Sequence, residues 1–164
     1  MTQVKAGAGR AGEDAATVRA ALQTCGGPPA ERSMTVPTVG DVIAGHPLHA
    51  VTGSFTIASV CHRMRALNVG ALAVLDEGRL IGIISERDIA RRVIAGHRDP
   101  MLTLVREVMT REPLTIAAQA PLAEAHRLMA ERGIRHLPVM RDEAVVGMIS
   151  LRDIPAEAGA EALA

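Results

Sequence analysis

Gly82-Ile83-Ile84-Ser85-Glu86-Arg87-Asp88-Ile89 decides the reading of this chain, because it returns 65 residues later as Gly147-Met148-Ile149-Ser150-Leu151-Arg152-Asp153-Ile154. Each copy reads as a short buried strand that ends at a serine and turns at once into a helix. A serine followed three residues later by an acid is the capping-box signal for a helix start. A strand end that faces a helix N-terminus is also a common ligand position in α/β folds. Two such places in one small chain point to a two-fold arrangement.

The duplication runs upstream without a gap. Val69–Val74 aligns with Ile134–Val139, and eight of the 21 positions from Val69 to Ile89 are identical to their partners. Ile57, Val60 and Met64 match Leu122, Ala125 and Met129. Further back the register slips by one, and Val39–Ile43 matches Val105–Met109. The unit is longer than a solenoid repeat of about 20–50 residues. It reads as two copies of one small subdomain.

Within the first copy, Val39–Ala44 reads as a helical turn and Pro47–Val51 as a short strand. Ile57, Val60, Cys61, Met64 and Leu67 share one helix face. Ala71–Leu75 and Leu80–Ser85 read as strands joined by a hairpin turn at Asp76–Arg79. Ile89, Ala90, Val93 and Ile94 give the next helix its buried face, and Gly96 ends it. The second copy repeats the order, with a turn at Val105–Met109, a strand at Leu114–Ala117, a helix opening near Pro121 and closing at Gly133, and hairpin strands at His136–Met140 and Ala144–Ser150. Pro155 lies five residues after Ser150, so the last helix is expected to be short or broken. Each copy is thus β-α-β-β-α, an α/β (α+β) unit too small to bury a good core alone. The division expected is a flexible tail over 1–35, subdomains over 36–100 and 101–155, and a tail over 156–164. Asp14–Leu22 is at most a marginal helix, and Met34 is a candidate natural start.

Bulk composition narrows the function classes. Eighteen basic and eighteen acidic residues cancel, which leaves no electrostatic footprint for nucleic acid or an anionic membrane. With one Phe and no Trp or Tyr, a base-stacking surface for single strands is not expected. Any bound base has to lie between Ile, Val, Met or Pro side chains. Cys25 and Cys61 form no disulfide framework, no apolar run approaches a membrane span, and no signal core opens the chain. A cytoplasmic protein is the expectation. His46, His49, Cys61 and His62 lack the spacing of a structural zinc site, so no metal is expected. No nucleophile elbow, phosphate-cradling loop or Cys/His pair stands out.

The ordered set Asp41-Val42-Ile43 and Glu107-Val108-Met109-Thr110, then Ile134-Arg135-His136-Leu137-Pro138-Val139, then the repeated Ser-x-Arg-Asp-Ile, resembles the cystathionine-beta-synthase (CBS) domain. Two copies resemble a stand-alone bacterial CBS pair, over about residues 36–155. The resemblance implies a pseudo-two-fold disc with two clefts between the copies, and a homodimer of such discs.

The plain structural reading of Ser85 with Asp88, and of Ser150 with Asp153, is two capping boxes worth about 0.5–2 kcal/mol each. The functional reading adds an acceptor role. An ionised carboxylate can take hydrogen bonds from both ribose hydroxyls, and the matching family residues contact the ribose of adenosine ligands. Arg135 and His136 can donate to phosphate, and the resemblance implies that role across the cleft from the other copy's aspartate. The expected ligand-binding set is therefore Ser85, Arg87, Asp88, Arg135, His136, Ser150, Arg152 and Asp153. One cleft is expected to combine Ser85 and Asp88 with Arg135 and His136, and to bind phosphorylated ligands more tightly. The other combines Ser150 and Asp153 with Gly70 and Ala71.

The resemblance implies a non-enzymatic sensor of AMP, ADP, ATP or a relative, with no obligatory cofactor, acting on a separate protein. The competing reading is a ligand-independent dimeric interaction module in which the Ser–Asp pairs are only caps. The helices that carry Met64 and Met129 are expected to supply apolar surface beyond what the core uses, for a homodimer. An enzyme of unknown type is the weakest of the three readings.

Overall fold

The hairpins organise both halves of the chain. In the computed structural model, which describes residues 36–155, strand β2 (Ala71–Asp76) turns back into β3 (Arg79–Ser85). Glu77 and Gly78 both take positive φ, 47° and 80°. A two-residue turn of that hand matches the right-handed twist of its strands. A second hairpin joins β6 (His136–Arg141) to β7 (Ala144–Ser150), with Asp142 at φ 55° in its turn. The tails expected over 1–35 and 156–164, and the helix at 14–22, lie outside the described residues.

Each hairpin gains a parallel strand on one side. β1 (Ala50–Thr52) pairs with β2, and β5 (Ile116–Ala117) pairs with β6. Both strands are shorter than the sequence pattern, starting at Ala50 rather than Pro47 and at Ile116 rather than Leu114. A further short strand, β4 (Thr110–Arg111), extends the first sheet on the far side of β3. Helix α2 (Ile57–Leu67) covers the first sheet with Ile57, Val60 and Met64 buried. Helix α5 (Leu122–Arg132) covers the second with Leu122, Ala125 and Met129 buried. Both helices stop at a left-handed residue, Asn68 and Gly133, as a C-terminal cap requires. Met64 and Met129 are 5% and 1% exposed. They sit in the cores of their own repeats.

The helix after β3 departs from the expected regular form. A short α3 (Glu86–Asp88) runs into a π-type segment, Ile89–Ile94, closed by Ala95 N–H to Ala90 C=O at 3.0 Å. The wider turn keeps Ile89 and Val93 inside but carries Ile94 to the surface, 62% exposed. After β7 there is only a single 3-10 turn, Leu151–Asp153. Ile154 then leaves in extended form (φ −95°, ψ 116°), the conformation favoured before a proline.

The two short helices that precede the repeats exchange places. Helix α1 (Val39–Ile43) stands at the head of the first copy, yet Val39 and Ile43 belong to the core built from Ile116, Leu122, Met129, Leu137, Val139 and Ile149. Helix α4 (Val105–Val108) heads the second copy, yet Val105, Val108 and Met109 pack with Val51, Ile57, Leu72, Val74 and Ile84. Each core is completed by the other half of the chain, so neither closes without its partner.

The exchange explains the repeated glycine of the opening stretch. A Cβ at Gly82 would meet Met109 Sδ at 2.8 Å and the Thr110 carbonyl oxygen at 2.9 Å, while one at Gly147 would meet Ile43 Cδ1 at 2.6 Å. Both glycines are the floor on which the opposite repeat's helical turn lies. Backbone cannot step aside, whereas the end of an isoleucine side chain can. Gly82→Ala is therefore expected to cost more than Gly147→Ala, at the upper end of the roughly 1–3 kcal/mol of an overpacked core. Chemical denaturation of the two variants checks the order, and equal losses would remove the backbone argument.

Candidate functional site

The repeated Ser–Asp turns are built alike but end differently. In the first, Asp88 Oδ2 accepts the Ser85 N–H at 3.0 Å and the Ser85 hydroxyl at 2.6 Å. Its other oxygen accepts the Thr110 hydroxyl at 3.1 Å and faces the Arg92 guanidinium at 3.3 Å. The Asp88 side chain is 13% exposed. Both of its oxygens are occupied within the protein.

In the second turn, Asp153 Oδ2 accepts the Ser150 N–H and hydroxyl, each at 2.7 Å. Asp153 is exposed, and its Oδ1 has no partner among the described residues. The sequence gives the reason. Thr110 follows the exchanged turn over the first repeat, and the matching residue over the second is Ala44, which has no hydroxyl. The position matching Arg92 is Glu157, an acid outside the described residues.

Register then decides which expected residues meet. His136 is paired with Ser150 across the β6–β7 hairpin, and the Leu151 N–H donates to the Arg135 carbonyl at 3.0 Å. Arg135 and His136 therefore stand beside the Ser–Asp turn of their own repeat. Together with Ser150, Arg152 and Asp153 they line a cavity of about 530 Å³, into which the first repeat sends Gly70, Ala71 and Glu86. Ser85, Arg87 and Asp88 do not line it. Ser150 and Asp153 thus meet Gly70 and Ala71 as expected, and the correction concerns Arg135 and His136. The arginine and histidine share a cavity with Asp153, because hairpin pairing places them on the strand next to it.

Arg87 has a different place. Its guanidinium donates to the Gly133 carbonyl at 2.6 Å, tying the first repeat to the carbonyl end of α5, where a cation is favoured. Asn68 is the counterpart of Gly133, and Arg152 the counterpart of Arg87. Yet Arg152, like Arg135, makes no side-chain hydrogen bond or ion pair among the described residues. Both guanidinium groups are exposed on the cavity wall.

His46 and His49, weighed at first only as metal ligands, also line this cavity, as do Pro47, Val69 and Met148. Among the described residues no three His, Cys, Asp or Glu side chains come together as a metal-binding group. Glu86 was missed by the sequence reading. The signal was present: inside an otherwise repeated stretch, Glu86 stands opposite Leu151. Glu86 Oε2 and His136 Nε2 each lie 3.3 Å from where a Gly70 Cβ would be, so the absent side chain lets them approach from two repeats. Burial pushes the His136 imidazole below its ordinary pKa, Arg135 and Arg152 add to the effect, and Glu86 and Asp153 oppose it. A second cavity, of about 500 Å³, adjoins the first through Asn68, Val69, Gly70, Glu86 and Arg152, and burial there raises the Cys61 thiol.

A family model described as the CBS domain matches residues 39–95 and 105–155. The chain belongs to the CBS-domain family. As a CBS pair it superposes on the CBS domain protein NE2398 with a TM-score of 0.70 at 31% identity, over 74% of this chain and 97% of that one. The CBS domain pair of protein MJ0100, solved in complex with 5′-methylthioadenosine and S-adenosyl-L-methionine, matches with a TM-score of 0.67 at 27% identity, over 77% of this chain and 99% of that one. An uncharacterized protein of Methanopyrus kandleri is 31% identical over 127 residues, 75% of this chain. The chain spans 62% of that relative's length.

Proposed function

We propose that this CBS pair is a non-enzymatic regulatory module that binds an adenosine-type ligand, AMP, ADP, ATP or a relative, and acts on a separate protein. One observation carries the reading. The cavity of about 530 Å³ presents a carboxylate with one oxygen unused among the described residues, Asp153, beside two arginines without partners there, Arg135 and Arg152. A carboxylate accepts from ribose hydroxyls and guanidinium groups donate to phosphate. Pro47, Val69 and Met148 supply apolar surface for a base in a chain with no Trp or Tyr. The volume lies within the usual range for small-ligand sites, about 300–1,000 Å³. Adenosine compounds bound to MJ0100, at 27% identity, support the ligand class.

The competing reading, a ligand-independent interaction module, draws on one feature: both Ser–Asp turns are closed by hydrogen bonds between their own residues. A thermal-shift screen with AMP, ADP, ATP, adenosine and S-adenosylmethionine separates the two. A ligand at 100 times its Kd stabilises the native state by about 2.7 kcal/mol. Absence of any shift at millimolar concentration would leave the interaction module standing.

The same proposal includes a homodimer burying more than about 1,000 Å². Exposed Ile94, Met101 and Leu102, 62%, 67% and 77% accessible, provide apolar surface for it. A monomer in sedimentation at micromolar concentration would remove that part. The proposal places the protein in the cytoplasm, with no nucleic-acid or membrane partner. No helix among the described residues is long and apolar enough to cross a membrane.

A further inference from the structure

The cavity gathers more titratable groups than a neutral adenosine needs. His136 is half-buried at the start of β6. Around it stand Arg135 from the preceding residue, Arg152 and Asp153 from the turn after β7, Glu86 from the start of α3, and His46 and His49 from the segment before β1. Neither arginine is neutralised by an ion pair among the described residues. Glu86 comes close to His136 over Gly70 but forms no ion pair with it. A third cation beside two free guanidinium groups is unfavourable in a partly buried site. An incoming phosphate reverses that balance, because it brings negative charge to the same walls.

We infer that His136 takes up a proton when a phosphate group enters this cavity, so that the site reads the negative charge of its ligand as well as its adenosine. The inference rests on the proposed ligand class for the adenosine half only; the phosphate half concerns the charged wall itself. Burial, Arg135 and Arg152 disfavour the imidazolium, against the pull of Glu86 and Asp153. Once phosphate oxygens pair with the guanidinium groups, the imidazolium gains an anion within hydrogen-bond reach. Proton uptake and phosphate binding then favour each other by linkage. Phosphorylated ligands bind more tightly as the pH falls through the His136 midpoint of the complex, whereas adenosine does not.

The test is an NMR titration of the His136 imidazole in the full chain, its resonance assigned by its loss in His136→Gln. Titrations are run without ligand, with AMP, with adenosine and with inorganic pyrophosphate. The expected result is a midpoint raised by about one unit or more with AMP or pyrophosphate, and an unmoved midpoint with adenosine. AMP that binds without moving the His136 midpoint overturns the inference and leaves the adenosine site intact. A midpoint raised by pyrophosphate in a protein that binds neither AMP nor adenosine upholds the inference and overturns the adenosine reading. A midpoint moved by adenosine as much as by AMP overturns the inference, since the histidine would then respond to occupancy rather than charge.

Discussion

Asp153→Asn weakens binding of an adenine nucleotide by about 10- to 150-fold, the loss of a charged hydrogen bond of roughly 1.5–3 kcal/mol, and leaves the melting temperature nearly unchanged. The substitution keeps the shape of the side chain and an oxygen able to accept from Ser150. It removes the charge that faces the ribose hydroxyls in the proposed complex. Asp153 is exposed and closes only a single 3-10 turn, so little of the fold depends on it. Calorimetry with AMP or ATP reads the affinity, and calorimetric melting reads the fold. Unchanged affinity in a folded variant would remove Asp153 from the site.

Asp88→Ala has the opposite signature. The variant loses about 2–4 kcal/mol of stability, a fall of roughly ten degrees in melting temperature for a protein of this size, and keeps its nucleotide affinity at temperatures where it is folded. The removed carboxylate accepts from Ser85 twice and from Thr110 once, and it is largely buried. Those donors are left without an acceptor. The ion pair to Arg92 adds little, because the arginine is 45% exposed and screened by water. Thr110 belongs to β4, which follows the exchanged helix α4, so the loss also loosens the seam between the two halves. A stable Asp88→Ala variant that no longer binds nucleotide would return the ribose contact to the first repeat.

The two variants together separate what one motif does in two places. Ser-x-x-Asp reads the same in both copies. Its surroundings give one aspartate three partners, Ser85, Thr110 and Arg92, and the other a single serine among the described residues. Part of the difference is local, Arg92 against Glu157 four residues on; the rest lies far away in sequence, Thr110 against Ala44. Such a difference is invisible until the exchanged turns are seen to pack on opposite repeats.

The sequence by itself determined the duplication, the β-α-β-β-α order, both hairpins and the helix stop at Gly133, because these depend on neighbours within a few residues. Glu77-Gly78 needs only its own turn, and Ser85 with Asp88 needs only one turn of helix. It also excluded an aromatic stacking surface. The tertiary structure alone decided the rest. The crossing of α1 and α4 between cores, the reason for Gly82 and Gly147, the exposure of Ile94 and the grouping of Arg135 and His136 with Asp153 all depend on contacts between distant segments. Periodicity marks a residue as buried or exposed but does not name what it is buried against, and in a duplicated chain each half offers the same apolar face to two possible partners.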